Sequence, residues 1–233
     1  MAQIDQFADP AGPGTLVEGE GTVIERMRAF RHRWPPGNGV GVFHQAYLTT
    51  VGGTAGHGGP ADRVAAGTLE ARLAERYLAA LDAAEAGGHP PECWRPLFPY
   101  RRHPGVRPVQ FALAGLHAHV AHDLALAVVD VCRTRECEPA ALEGEFERVG
   151  DLLALLEERI HDDSMPGPDL LRIADPLTHL VSSWSLERAR GAAWSAARVL
   201  RQLRGLPSLA EELRQQTDAG AGLVVRFLLT PCR

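Results

Sequence analysis

Apolar residues three and four positions apart recur along the whole chain, whereas period-two alternation is almost absent. The first spacing lines one face of a helix, and the second would mark half-buried strands. Leu16, Val23, Ile24, Met27 and Phe30 predict a helix over about Thr15–Arg33. "WPPGNG" at 34–39 ends it, because its prolines and glycines do not sustain a helix. Residues 40–51 contain β-branched positions, but Val40, Phe43, Tyr47 and Val51 keep helical spacing, and we read a helix. "GGTAGHGGP" at 52–60 reads as a loop, either a plain connector or a lid. Val64, Leu69, Leu73, Tyr77, Leu78 and Leu81 form the stripe of a helix over 61–86.

The proline-rich stretch 87–108 predicts no regular element beyond a turn at "ECWRPLF". Its Trp94, Phe98 and Tyr100 fit either a pocket wall or a buried strap between helices. Four further helices are expected after a long one at 109–133. One spans 138–160, with Pro139 in its first turn and an apolar face of Val149, Leu152, Leu153, Leu155, Leu156 and Ile160. The others are a short one at 169–181, one at 182–203 with Ser183 as N-cap, and a last one at Ser208–Leu229. The pattern predicts an all-α fold: a flexible arm over 1–14, then a single-domain multi-helix bundle over 15–233, with seven or eight helices around a central helix near 109–133. No repeat of solenoid period occurs.

That central helix is apolar nearly all round, as a core helix is. It nevertheless carries "LHAHVAHDL" at 116–124. On a wheel of 100° per residue, Gly115, His119, His122, Asp123 and Leu126 share one face. Leu113, Val120, Leu124, Ala127 and Val131 form a second, wholly apolar face, and His117 points away from the first. Burying an imidazole and a carboxylate costs several kcal/mol unless they are paired or ligate a metal. Three readings follow. His119 and Asp123, one turn apart, are spaced to grip a divalent metal such as zinc. Further ligands would come from His44, His161, Asp162, Asp163, Asp175 or His179. Alternatively, His119, His122 and Asp123 form a metal-free acid–base site. In the third reading they form a structural network, with Asp123 paired to an arginine such as Arg190. Gly115 leaves room on this face for a ligand or a close helix.

Arg190 and Trp194 are also one turn apart and fit a substrate clamp, an arginine over an aromatic ring. His44 and Tyr47 are further candidates for substrate contact. "HDD" at 161–163 reads as a solvated helix end, although its charge opposes the helix dipole.

Composition narrows the chemistry. The net charge is −5 and dispersed, which argues against a nucleic-acid stripe. All 24 basic residues are arginine, so Schiff-base lysine chemistry and a P-loop are excluded. With abundant alanine, glycine and proline, this points to a GC-rich genome such as an actinobacterium. Cys93, Cys132, Cys137 and Cys232 form no CxxC pair, and free thiols in a reducing compartment are expected. "MAQIDQFADPAGPG" is no signal peptide, and no run of eighteen apolar residues predicts a membrane span. A soluble, cytoplasmic monomer or homodimer is expected, without nucleic-acid or membrane partners. GxSxG, HExxH and GxGxxG are absent.

The stretch "WRPLF…RPVQFALAGLHAHVAHDLALAVV", with "FHQAYL" upstream and "ARGAAW" downstream, resembles an uncharacterised actinobacterial family, a domain of unknown function, from about Arg26 to Leu203. Its members show asparagine at the position of His117 and match His119 and Asp123. The resemblance implies a helical fold and brings no activity. The HxxxD element is also similar to one in zinc-dependent phospholipase C and single-strand nucleases, but their further histidine motifs and N-terminal tryptophan ligand are missing here. The expected function is a small-molecule enzyme of specialised metabolism, catalysing hydrolysis, cyclisation or rearrangement of a largely apolar ligand at His119 and Asp123. The alternative is a non-catalytic small-molecule binding or self-resistance protein.

Overall fold

The computed structural model describes residues 23–31, 33–35, 37–54, 68–164 and 185–231, and among these no strand occurs. The elements are α1 (Val23–Arg31), α2 (Gly39–Thr54), α3 (Leu69–Glu85), a short α4 (Leu97–Tyr100), α5 (Pro108–Thr134), α6 (Glu143–Ser164), α7 (Leu186–Gln202) and α8 (Pro207–Leu228). The all-α bundle read from the periodicity is therefore observed. The predicted 1–14 arm, most of the 52–60 loop and the 169–181 helix lie outside the described residues, as does Ser183. Ser185 caps α7, its hydroxyl accepting from the Arg188 amide. α4 is an element that the proline count concealed.

α5 is the axis. α2, α3, α4, α6, α7 and α8 all pack against it. It is long and apolar enough to cross a membrane, but 89% of its apolar window is buried. Protein covers that surface, as in a core helix. Pro108 opens it, and the Gln110 side chain accepts from the Arg107 amide at 2.8 Å. The amide of the same buried Gln110 donates to the Leu228 and Thr230 carbonyls at 2.7 and 2.8 Å, tying the start of α5 to the end of α8. Further along, Arg76 of α3 grips Asp130 with two nitrogens, at 2.9 and 2.6 Å.

The stripes read from the sequence meet around this axis. Ile24, Met27 and Phe30 of α1 are buried, as are Leu69, Leu73, Tyr77, Leu78 and Leu81 of α3. On α6 the expected face holds except at Leu155, which is 46% exposed. Leu155 lies about 100° round the helix from Leu156 and off the stripe. α2 crosses α5 at two glycines. Phe43 lies over Gly115 and Phe111 over Gly39, so closely that a Cβ on either glycine would overlap the facing ring. Gly115 therefore admits a close helix, the second of its two sequence readings.

This contact predicts opposite outcomes for two glycines. Gly115→Ala should cost about 1–3 kcal/mol in urea unfolding, because the new methyl displaces Phe43. Gly191→Ala on α7, where a Cβ meets nothing, should be neutral or stabilise by up to about 1 kcal/mol through helix propensity. Equal shifts in the two variants would refute the close approach.

Candidate functional site

The middle of α5 is not an α-helix. Residues His119–Asp123 form a π turn, in which the Leu124 amide bonds the His119 carbonyl five residues back. Such widened turns are rare and concentrate at functional sites. This one holds three of the four polar residues that the sequence singled out. His119 and Asp123 are fully buried, and His122 and His117 nearly so.

Asp123 is the centre of the arrangement. Its Oδ2 accepts from the indole Nε1 of Trp94 at 2.9 Å and faces His119 Nδ1 at 3.4 Å; its Oδ1 faces His122 Nδ1 at 3.0 Å. Burial pulls the carboxyl up, but the hydrogen bonds to His119 and His122, with their electrostatic attraction, outweigh it and hold Asp123 at about 2. The wheel's grouping of His119, His122 and Asp123 thus describes a contact, while His117 stands apart, its ring pushed down to about 4 by burial.

The partner supplied by the fold is Trp94, on the turn before α4. The strap carrying it is fixed from α8: Asp218 accepts the Glu92 and Cys93 amides at 2.8 and 2.9 Å. Gly222 lets that backbone approach, since a Cβ there would lie 2.7 Å from the Glu92 carbonyl. Asp218 Oδ1 also stands 3.8 Å from His122 Nε2. Burial, with Asp123 and Asp218 nearby, pushes the Cys93 thiol well up. Cys93, His122 and Asp123 offer ligand-type atoms that all lie within 4.8 Å of one another. Cys93 and Asp218 were not among the sequence candidates, because nothing in local spacing ties them to Asp123.

His119 sits in a cage of rings. Tyr47 is 4.7 Å away between centroids, Phe43 5.8 Å, Tyr77 6.0 Å and Trp94 6.3 Å. In the His119 tautomer whose Nδ1–H turns to Asp123, the ring lone pair lies on Nε2. That atom and the Tyr47 hydroxyl are both buried without a hydrogen-bond partner among the described residues. Burial, then the charges of Glu70 and Asp123, push the Tyr47 hydroxyl well above its ordinary range, so it stays protonated.

Other expected site residues lie elsewhere. His44 is fully engaged: one ring nitrogen contacts the Met27 carbonyl at 2.7 Å and the other the Tyr77 hydroxyl at 2.9 Å. A carbonyl only accepts, so Nε2 carries the proton and Nδ1 accepts from Tyr77. His44 is therefore no ligand beside Asp123. It lines a cavity of about 440 Å³ with Trp34, Gly41, Gln45 and Ala112 among others. The suggested Asp123–Arg190 pair does not form. Arg190 crosses Gly150 and reaches the Phe146 carbonyl at 3.4 Å and Glu147 at 3.3 Å, its guanidinium 5.3 Å from the Phe146 ring. Trp94 and the two histidines satisfy Asp123 instead. Arg190 and Trp194 do share a cavity, a groove of about 500 Å³ with Glu143, Glu147 and Glu187, and none of its lining residues belongs to the Asp123 cluster. His161 is half-buried and Asp162 exposed at the end of α6. Asp175, His179 and the side chain of Asp163 lie outside the described residues.

Two measurements follow from these contacts. Trp94→Phe keeps the ring but removes a donor to a buried carboxylate, and should lower unfolding free energy by about 1.5–3 kcal/mol in urea titration. The second concerns pH. Burial lowers His44 from 6.5 to about 4 against its bond to Met27, and lowers His117 likewise. Both rings are neutral in the folded chain and protonate first in the unfolded one. Their contribution is present above pH 6.5 and is lost as pH falls towards 4, on the order of 3 kcal/mol each. A His44→Gln/His117→Gln variant, though weaker at pH 7, should lose less stability over that window; an unchanged slope would contradict the assignment.

No curated protein and no solved structure matches the chain at a significant level. The model of a family of unknown function, DUF5995, matches residues 21–231, which takes in every helix from α1 to α8, and the chain belongs to that family.

Proposed function

We propose that the protein is a small-molecule enzyme whose acid–base centre is His119, oriented by Asp123. The observation that carries this reading is the asymmetry of the His119 ring: Nδ1 faces a buried carboxylate, while Nε2 has no partner among the described residues. An orphaned buried nitrogen is costly to maintain and calls for an explanation. A reacting group that needs a base provides one.

In this reading Nε2 takes a proton from the substrate, and Asp123 stabilises the imidazolium that results. The Tyr47 hydroxyl, also unpartnered, donates to an oxygen that gains charge. His119 then returns its proton to the product, so the cycle leaves the protein unchanged. Phe43, Tyr77 and Trp94 favour a largely apolar substrate with one polar, proton-bearing group, and hydrolysis, cyclisation and rearrangement all fit. His119 is fully buried, so this reading requires the cage to open for substrate entry. Arg190 and Trp194 take no part, since they line a different groove. The lysine-free, arginine-rich composition supports an actinobacterial source, and we place the enzyme in cytoplasmic specialised metabolism.

A second reading rests on the cavity beside His44. At about 440 Å³ it falls in the range of small-molecule pockets, roughly 300–1,000 Å³. A non-catalytic binding or self-resistance protein would hold its ligand there.

The test is metabolite profiling: purified protein is incubated with an actinobacterial metabolite extract and the mixture followed by mass spectrometry. We expect at least one species to be converted, with conversion lost by about a hundredfold or more in His119→Ala and Asp123→Asn, both checked for folding by circular dichroism. Conversion that survives both substitutions, or no conversion at all, rejects the acid–base reading. Saturable retention of a species without product would support the binding protein.

A further inference from the structure

From the other side of the same carboxylate we infer that Cys93, His122 and Asp123 form a binding site for one divalent transition-metal ion, with zinc the best match. This goes beyond the acid–base reading and shares only Asp123 with it.

The donor set is the first argument. A thiolate, an imidazole and a carboxylate are the ligands that zinc accepts, and three protein ligands with one open position is the pattern of catalytic rather than structural zinc sites. Ligand bonds of about 2.0–2.3 Å place the donor atoms of a tetrahedral site roughly 3.3–3.8 Å apart. Here all three atoms already lie within 4.8 Å of one another, and the His122–Asp123 contact is 3.0 Å. Small side-chain adjustments would bring them onto an ion.

Charge is the second argument. Asp123 is fully buried, and among the described residues no arginine is a hydrogen-bond partner of it. Asp218 stands close behind, on the far side of His122. On binding, the Cys93 thiol gives up its proton to solvent. Thiolate and carboxylate together carry two negative charges, which a divalent ion neutralises.

The surrounding contacts are the third. Trp94 and His119 both face Oδ2 of Asp123, while Oδ1 faces His122, itself a ligand of the proposed site. His122 has its Nε2 towards Asp218 at 3.8 Å and its Nδ1 towards Asp123 at 3.0 Å. On binding, the ring proton would sit on Nε2, facing Asp218, and the Nδ1–Oδ1 hydrogen bond would give way to two bonds to the ion. A carboxylate behind a metal-bound histidine is the usual way its ring and tautomer are fixed. Asp218 also holds the Cys93 amide, so one residue of α8 orients two of the three ligands. Sequence spacing pointed to His119 and Asp123 as the metal pair. The folded chain turns His119 to the aromatic cage and brings Cys93 in its place.

The experiment uses the full chain without a histidine tag, stripped with chelator under reducing conditions and titrated with Co²⁺. Saturation at one ion per chain is expected, with a near-ultraviolet thiolate-to-cobalt charge-transfer band, and Zn²⁺ should displace the Co²⁺. Cys93→Ala should remove the band and weaken binding by at least about tenfold, and Asp218→Asn should weaken it about ten- to a hundredfold while keeping the band. Cys93→Ser serves in place of Cys93→Ala if the latter does not fold. His119→Ala should bind Co²⁺ with the band intact, so loss of conversion in that variant reports on the acid–base reading alone. Absence of stoichiometric binding, binding without a thiolate band, or a band that survives loss of Cys93 overturns the site.

Discussion

A carboxylate in the centre of a helical bundle is the constraint around which this fold is arranged. Left alone, buried Asp123 would cost several kcal/mol, more than one packing contact returns. Arginine is the only strong cation this chain has in quantity, yet among the described residues no arginine is bonded to Asp123. An indole N–H and two imidazoles face it instead. These partners are themselves flat and largely apolar, so the carboxylate is satisfied without opening the core to water. The requirement reaches outward. Trp94 must be held against α5, the strap that carries it must be anchored, and Asp218 on α8 anchors it through two backbone amides. Two carboxylates on two helices thus locate a proline-rich segment that has little regular structure of its own.

The same carboxylate separates two kinds of chemistry. Oδ2 faces Trp94 and His119, beyond which lie Tyr47, Phe43 and Tyr77. Oδ1 faces His122, beyond which lie Cys93 and Asp218. The first side is apolar, with two polar atoms that have no hydrogen-bond partner among the described residues. The second is rich in donor atoms and negative charge, suited to holding a cation. Within the π turn His122 and Asp123, neighbours in sequence, are in contact at 3.0 Å.

Much of the fold was legible because it is local. The stripes on α1, α3 and α6 and the stop at "WPPGNG" depend on residues within one or two turns of each other. Pairing His119 with Asp123, and setting His117 aside, needed only helical geometry. Leu155 was misplaced for the same local reason, since one apolar residue beside a stripe is easily counted into it. α4 was hidden because prolines argue against helix even where one short turn forms. The π turn had no signal in a wheel that assumes 100° per residue.

The sequence by itself determined that this chain folds as helices around an apolar central one, and that this helix buries a histidine–aspartate pair. Both follow from periodicity and from the cost of burying charge. Only the tertiary structure decided what satisfies the pair. Trp94 is 29 residues from Asp123, and Cys93 is 125 residues from Asp218. No spacing rule joins positions so far apart. Cys93 and Asp218 meet where Gly222 lets the strap's backbone come close to α8, and a buried carboxylate must have donors from whichever segments the packing brings to it.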